Sequence, residues 1–179
     1  MNLVATRAAK RPFGVAYTDF TELVYADGRR KAQMIPIVDH ASKLALEWPV
    51  GERAVTALAL EAWEQARQTF KAQGAELNEV IVHHDQDRVF TTYGWTSHLL
   101  LRDHVMVSYA LNGARDNPQM ESFIGPFKTE NRSLLLDAQT LEGLQAVVAD
   151  RMDYDNRPRH WTIGYQIPIM YIESRQPWP

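Results

Sequence analysis

The order of apolar and polar positions changes character along the chain, and each change marks an element. Phe13, Val15 and Tyr17 alternate with small residues, the two-residue period of a strand. Two further apolar stretches lie between Lys31 and Val50, parted near Asp39 to Ser42, and Asp27-Gly28 sits between the first stretch and the second as a hairpin signal. Together they predict a three-stranded antiparallel meander from about Phe13 to Val50. Pro36 interrupts the second strand and implies a bulge or an edge position. From Arg53 to Gln73 the period lengthens: Val55, Leu58, Ala59, Ala62, Trp63, Ala66 and Phe70 form one helical stripe, with Gly74 as the stop. A short strand over Glu79 to His83, a helix over Thr92 to Arg102 and a strand over Val105 to Ser108 follow. Asn117-Pro118 opens a helix that runs to about Glu130, with Asn as cap and Pro at the first position. A last helix spans Leu141 to Met152, and a Pro-rich, aromatic tail begins at Asp155. Three antiparallel strands followed by alternating helices and strands predict an α/β fold with a mixed sheet.

Composition narrows the possibilities. The 179 residues fit one domain, and 45% hydrophobic with 23% charged residues exclude disorder. The absence of cysteine excludes disulfides, thiolate catalysis and cysteine-ligated zinc. No apolar run approaches the roughly 18–20 residues of a membrane span. Met1 to Pro12 is short, mixed and basic, unlike a signal peptide, which makes the cytoplasm the expected compartment. The net charge of −3 argues against a basic nucleic-acid-binding tail, but not against DNA as a substrate, because a metal-dependent site uses acids. Two basic clusters, Arg7, Lys10 and Arg11, and Arg29, Arg30 and Lys31, read equally well as solvated loops.

Three acids stand out by placement. Asp19 falls within the first strand, where a carboxylate is costly unless paired or metal-bound. Asp85 follows the Val80-Ile81-Val82 run, at the strand end where α/β sheets gather ligands. Glu121 falls in the first turn of the helix that Asn117-Pro118 starts. If the first and fourth strands are neighbours, all three converge, and divalent cations with a preference for hard oxygen ligands would relieve their repulsion. Taken singly, each has a plainer reading: a satisfied buried acid, a turn residue, and a first-turn acid favoured by the helix dipole. The run His83-His84-Asp85-Gln86-Asp87 also suggests zinc, but neighbouring strand residues point to opposite faces, so both histidines do not reach one ion. Walker, nucleophile-elbow and dinucleotide-binding motifs are absent.

Several segments, in order, resemble the catalytic core of bacterial insertion-sequence transposases related to retroviral integrases (the IS-three type, with DDE chemistry). Ala16-Tyr17-Thr18-Asp19-Phe20-Thr21 resembles the family's W-x-T-D-I/F-T, and Val82-His83-His84-Asp85-Gln86 resembles H-S-D-R/Q-G. The stretch from Ser108 through Asp116-Asn117 to Glu121-Ser122-Phe123 resembles S-x-x-G-x-x-x-D-N-x-x-x-E-S-F, and Phe127-Lys128-Thr129-Glu130 continues it as K-x-E. Tyr154-Asp155-Asn156-Arg157-Pro158-Arg159-His160, with Gly164-Tyr165 and Pro168, resembles the closing Y-N-x-x-R-x-H-x-x-L-G-Y-x-x-P. Between Asp85 and Glu121 lie 121 − 85 − 1 = 35 residues, the family's interval.

The resemblance implies an RNase H-like fold, a five-stranded mixed sheet of order 3-2-1-4-5 flanked by helices. It implies an N-terminal extension over residues 1–12, a catalytic core over 13–172 and a tail over 173–179. It implies DNA strand cleavage and strand transfer during transposition and integration, with Asp19, Asp85 and Glu121 as catalytic acids holding two Mg²⁺ or Mn²⁺ ions. Lys128, Asn117, Arg157, Arg159 and His160 are the implied DNA contacts; Asn117 also reads as a simple helix cap, Asp116 as support for its turn, and Lys128 as a solvated lysine. The partners implied are transposon-end and target DNA and further copies of the chain assembled on it. His84 stands where the family has Ser or Thr, and Asp87 where it has Gly, a position that would allow a left-handed turn. These departures keep open a decayed core that binds DNA or a partner without cutting, beside another RNase H-like nuclease. Only Met1 to Pro12 precedes the first strand, so the family's N-terminal helix-turn-helix is expected to lie elsewhere.

Overall fold

A computed structural model of the chain describes residues 1–4, 11–110 and 117–176. Arg7, Lys10, Asp116 and the part of the third motif over 111–116 lie outside the described residues, as does the end of the tail over 177–179.

Each of the three meander strands forms in two pieces. The first is β1 (Val15–Thr18) and β2 (Thr21–Tyr25), the second β3 (Arg30–Met34) and β4 (Ile37–Asp39), the third β5 (Ala45–Glu47) and β6 (Val50–Gly51). The breaks fall at Asp19-Phe20, Ile35-Pro36 and Trp48-Pro49. Thr18 pairs with Ile37 and Thr21 with Met34, while Ile37 pairs with Glu47 and Met34 with Val50. The three breaks are therefore level, and they form one crease across the sheet. Two of them carry proline, which has no N–H to give a ladder, and Ile35 N bridges the crease to Pro49 O at 3.1 Å. Pro36 thus sits in an interior strand at the crease, with a bulge beside it at Ile37/Val38, and not at an edge.

Helix α1 (Thr56–Ala72) follows, its apolar stripe buried except Val55, which lies at the N-cap. It ends as expected at Gly74, whose φ of 75° lets Ala75 N reach Phe70 O at 2.9 Å and close the last turn. Strand β7 (Ile81–His84), helix α2 (Tyr93–Ser97), continued as a π-type turn over His98–Arg102, and strand β8 (Met106–Tyr109) complete the sheet. Its order is β5-β4-β1-β7-β8, with β1, β7 and β8 parallel and β4 and β5 antiparallel. With the broken strands rejoined this is the expected 3-2-1-4-5. The outer halves β2, β3 and β6 form a separate three-stranded sheet beyond the crease.

Helices α3 (Pro118–Glu130) and α5 (Leu141–Asp155) form where expected. Two short helices were not expected: α4 (Arg132–Asp137) and α6 (Pro168–Glu173). The segment after Asp155 is therefore a packed element more than a tail, and Ile172 is fully buried in the core under α1. One core lies between the sheet and α1 with α2, around Trp63, Phe70 and Trp95; the other lies beneath α3, α4 and α5, around Tyr17, Met120 and Leu144. Both outer strands of the sheet carry a local partner. Asn156 exchanges two hydrogen bonds with the Ala45 backbone, both 2.9 Å, and Tyr109 N donates to Met1 O at 3.1 Å.

Candidate active site

Asp19 follows β1 directly, and Asp85 follows β7 directly. The parallel register sets Tyr17 against His83, so two residues further on the two acids come level at the carboxyl ends of adjacent strands. Neighbouring strands lie ~4.8 Å apart. Val15, Tyr17, Leu23 and Tyr25 all belong to the core beneath α3, which puts Asp19 in the same odd-numbered row. Met120 and Phe127 anchor α3 on that face, and Glu121 stands in its exposed first turn.

The crease accounts for the local chemistry of Asp19. Freed from the ladder, the Phe20 N–H hydrogen-bonds the Asp19 carboxylate. That bond is outweighed. Burial, followed by repulsion from Asp85 and then from Glu121 and Asp87, pushes the Asp19 carboxyl up to about 7. The acids therefore sense one another, although among the described residues no three His, Asp or Glu side chains close tightly enough to enclose one ion. The donor set is hard oxygen, at a half-buried position where negative charge is in excess. These features fit a divalent cation such as Mg²⁺ or Mn²⁺, which would relieve the repulsion.

The two departures near Asp85 are accommodated. Asp87 has no left-handed backbone; the turn closes because Asp85 Oδ1 accepts from Asp87 N at 2.9 Å and Asp87 Oδ1 accepts from Val89 N at 2.9 Å. His84 is fully buried and stacks on Phe90 at 4.4 Å. Trp95 Nε1–H donates to His84 Nε2 at 3.1 Å, so the His84 proton lies on Nδ1, facing Asp85 O at 2.6 Å. His83 points to the other face, with Nδ1 at 2.8 Å from Ser108 Oγ. The two histidines hold separate structural bonds, as the strand geometry predicts. Burial lowers the His84 pKa to about 4. A base held neutral in the fold contributes stability that is complete above about 6.5 and is lost as pH falls through 4. Imidazole ¹⁵N spectra are expected to show His84 neutral, protonated on Nδ1, at pH 5.5; a midpoint above 6 would mean that Trp95 does not donate to it.

The proposed DNA contacts are scattered. Asn117 precedes α3 but makes no side-chain cap, and its buried Oδ1 and Nδ2 have no partner among the described residues. The expected cap is therefore corrected: its backbone (φ −125°, ψ 48°) departs from the extended form usual at a cap. Lys128 is not a freely solvated lysine; half-buried, it donates to Thr21 Oγ1 at 3.4 Å. Arg157 and Arg159 are exposed, and half-buried His160 pairs through its backbone with Gln166. Trp63 and Trp95 are core residues with no exposed surface. Sequence reasoning missed the Trp95–His84 pair, whose one signal was a histidine replacing a small hydroxyl residue. It also missed a half-buried cluster of His40, Lys43 and His160, drawn from separate segments.

Comparison with known proteins places this geometry. The family model described as "Integrase core domain" matches residues 9–110, a span that holds Asp19 and Asp85. The "Putative transposase for insertion sequence element IS986/IS6110" of Mycobacterium tuberculosis (strain ATCC 25177 / H37Ra) is 24% identical over 139 residues, covering 77% of this chain and 50% of the relative. Its counterpart in Mycobacterium bovis (strain ATCC BAA-935 / AF2122/97) gives the same figures. The chain thus spans about half the length of the curated relatives it matches. Among solved structures, the HTLV-2 integrase catalytic core domain in complex with magnesium superposes with a TM-score of 0.67 at 15% identity, over 90% of this chain and 97% of that one. The catalytic core domain of BIV integrase gives 0.66 at 18%, over 91% and 96%. A chain of the simian T-cell lymphotropic virus intasome, solved with PP2A regulatory subunit B56 gamma, gives 0.74 at 14%, over 97% and 59%. At these identities the structural matches establish the fold, an RNase H-like core.

Proposed function

Since the chain belongs to the integrase core domain family, we propose that it is the catalytic core of an insertion-sequence transposase that cuts and joins DNA with Asp19, Asp85 and Glu121. The observation that carries this reading is Asp19: burial and the charges of Asp85, Glu121 and Asp87 together hold its carboxyl near 7. Bound cations would relieve that repulsion. Two Mg²⁺ or Mn²⁺ ions, when bound, would supply Lewis-acid activation of the attacking hydroxyl and stabilise the leaving oxygen of a phosphodiester. Asp19 and Asp85, at the ends of adjacent strands, and Glu121, from α3, would hold the ions. The nucleophile would be water in cleavage and a DNA 3′-hydroxyl in strand transfer, with no covalent enzyme intermediate.

The accommodated His84 and Asp87 support a competent site, not a decayed one. His84 fixes the Asp85 carbonyl through Nδ1, while Asp87 N holds Asp85 Oδ1 and its other carboxylate oxygen would face the ion. Asn117, buried at the base of the Glu121 turn with both polar atoms unpaired among the described residues, would be a DNA contact. Arg157 and Arg159 would contact DNA phosphates, and Lys128 would reach DNA on leaving Thr21. We place the core at 13–172, acting in the cytoplasm on transposon-end and target DNA. Self-assembly on that DNA is proposed because the HTLV-2 core was solved in trimeric and dimeric forms. Among the described residues no helix is long and apolar enough to cross a membrane.

The test is Mn²⁺- or Mg²⁺-dependent nicking of supercoiled plasmid by wild type and Asp85→Asn. Nicking is expected to require the metal and to fall to background in the variant. Equal nicking by the two proteins would overturn the assignment.

A further inference from the structure

A cavity of about 490 Å³ opens on the face covered by α3, between the β4–β5 turn, the start of α3 and the loop at His160. Along the chain it adjoins two of the three acids: Tyr17 lies two residues before Asp19, and Gln119 two before Glu121. Its lining is rich in donors. Lys43 is half-buried, and its Nζ donates to the neutral Gln119 Oε1 at 2.9 Å. His40 Nδ1 is buried, with no partner among the described residues. Tyr17 lines the cavity as well and brings a hydroxyl group. His160 adds a second ring nitrogen pair.

The one carboxylate in the lining, Asp39, is already engaged. Its oxygens accept from Phe13 N and Ser42 N at 2.7 Å each and from Ser42 Oγ at 2.6 Å. The cavity therefore presents a cation and hydrogen-bond donors with no free acid, and among the described residues it forms no metal-holding group. Lys43 also holds a left-handed backbone, φ 64°, where glycine would be at ease. A long cationic side chain kept at such a position points to use of its charge. Trp161 stands at the mouth with 76% of its surface exposed, an indole face open beside the donors.

We propose that this cavity seats a backbone phosphate of a DNA strand on Lys43, with Tyr17, His40 and His160 around it, and that the adjoining unstacked base rests on Trp161. The identity of the ligand as DNA rests on the transposase reading. The geometry asks for an anionic oxygen group next to a flat aromatic platform, which is how single strands are held. The lining contains none of the three acids, and the site would position the strand on which they act.

The test is equilibrium binding of a short single-stranded oligonucleotide over a salt series, with wild type, Lys43→Gly, Lys43→Arg and Trp161→Ala. Glycine suits the Lys43 backbone, so Lys43→Gly should keep the fold, as circular dichroism would verify. It is expected to weaken binding about tenfold at low salt and to flatten the slope of log K against log salt by about 0.7, the share of one phosphate contact. Lys43→Arg should restore that slope, and Trp161→Ala should lose roughly tenfold in affinity with the slope unchanged. A wild-type slope and affinity in Lys43→Gly would overturn the proposal. So would saturation of the cavity by inorganic phosphate alone with no change in DNA affinity, which would assign it to a free anion. The same preparations are assayed for Asp85-dependent nicking. An unchanged slope with nicking intact removes the cavity alone; wild-type protein that never nicks removes the transposase reading, and the slope still judges the cavity.

Discussion

Asp19→Asn is expected to make the metal-free protein more stable and at the same time inactive. In the fold the Asp19 carboxyl sits at about 7 against an ordinary 3.8, because burial and three neighbouring acids oppose its charge. The folded state thus keeps a proton that the unfolded chain releases. The stability this lends is complete below about 4 and is lost as pH rises through 7. At pH 8 in EDTA the wild type carries that loss in full, about 1–3 kcal/mol after discounting for partial exposure. Asparagine has no charge to lose, so the variant should melt higher than wild type at pH 8 and close to it at pH 4. Added Mn²⁺ should raise the melting temperature of the wild type and leave the variant unmoved. Nicking should fall about 10³-fold or more, since the several kcal/mol of charge stabilisation supplied through the ligand vanish at 1.36 kcal/mol per factor of ten. A variant that is less stable at pH 8, or that still nicks, would show that Asp19 is a structural acid.

Trp63→Ala is expected to be the costliest change in the core. Trp63 is fully buried at the centre of the α1 face, with its ring 5.9 Å from that of Phe70. Its Nε1–H donates at 2.8 Å to Asp103, a buried carboxylate that also takes Arg67 and Arg102 at 3.3 Å each. Alanine would leave a large cavity and remove one donor from a buried charge. The expected loss is about 3–5 kcal/mol, or roughly 6–20 °C in melting temperature for a chain of this size. Trp63→Phe should lose less, because it fills most of the space and forfeits chiefly the hydrogen bond. Denaturant titration of both variants separates the two contributions. A loss below about 1 kcal/mol for Trp63→Ala would mean that α1 can collapse onto the sheet.

Much of this architecture was legible because it obeys simple periods. The stripe from Leu58 to Phe70 allows one helix, Gly74 stops it, and Asp27-Gly28 turns the first hairpin. The placement of Asp85 at a strand end followed from the short run before it. Other features depend on relations between distant segments. Pro36 and Pro49 are visible in the chain, but that they fall level with Asp19 is a matter of register. Helices α4 and α6, of six residues each, are too short to display a period. Asn117 has the sequence of a cap yet takes another backbone conformation. The cavity at Lys43 draws on four parts of the chain, and no local pattern announces it.

The two outer strands of the five-stranded sheet bear on a different property, resistance to aggregation. An uncovered edge offers a row of free N–H and C=O groups to any extended chain, and self-association through such edges is a common route to precipitation. Here the amide of Asn156 meets both the N–H and the C=O of Ala45, as a neighbouring strand would. At the opposite edge Met1 occupies Tyr109 N, and Leu3 N is held by Ser108 Oγ at 2.8 Å. A side chain on one flank and a stretch of backbone on the other thus occupy ladder groups of Ala45 and Tyr109 that a second molecule would otherwise meet.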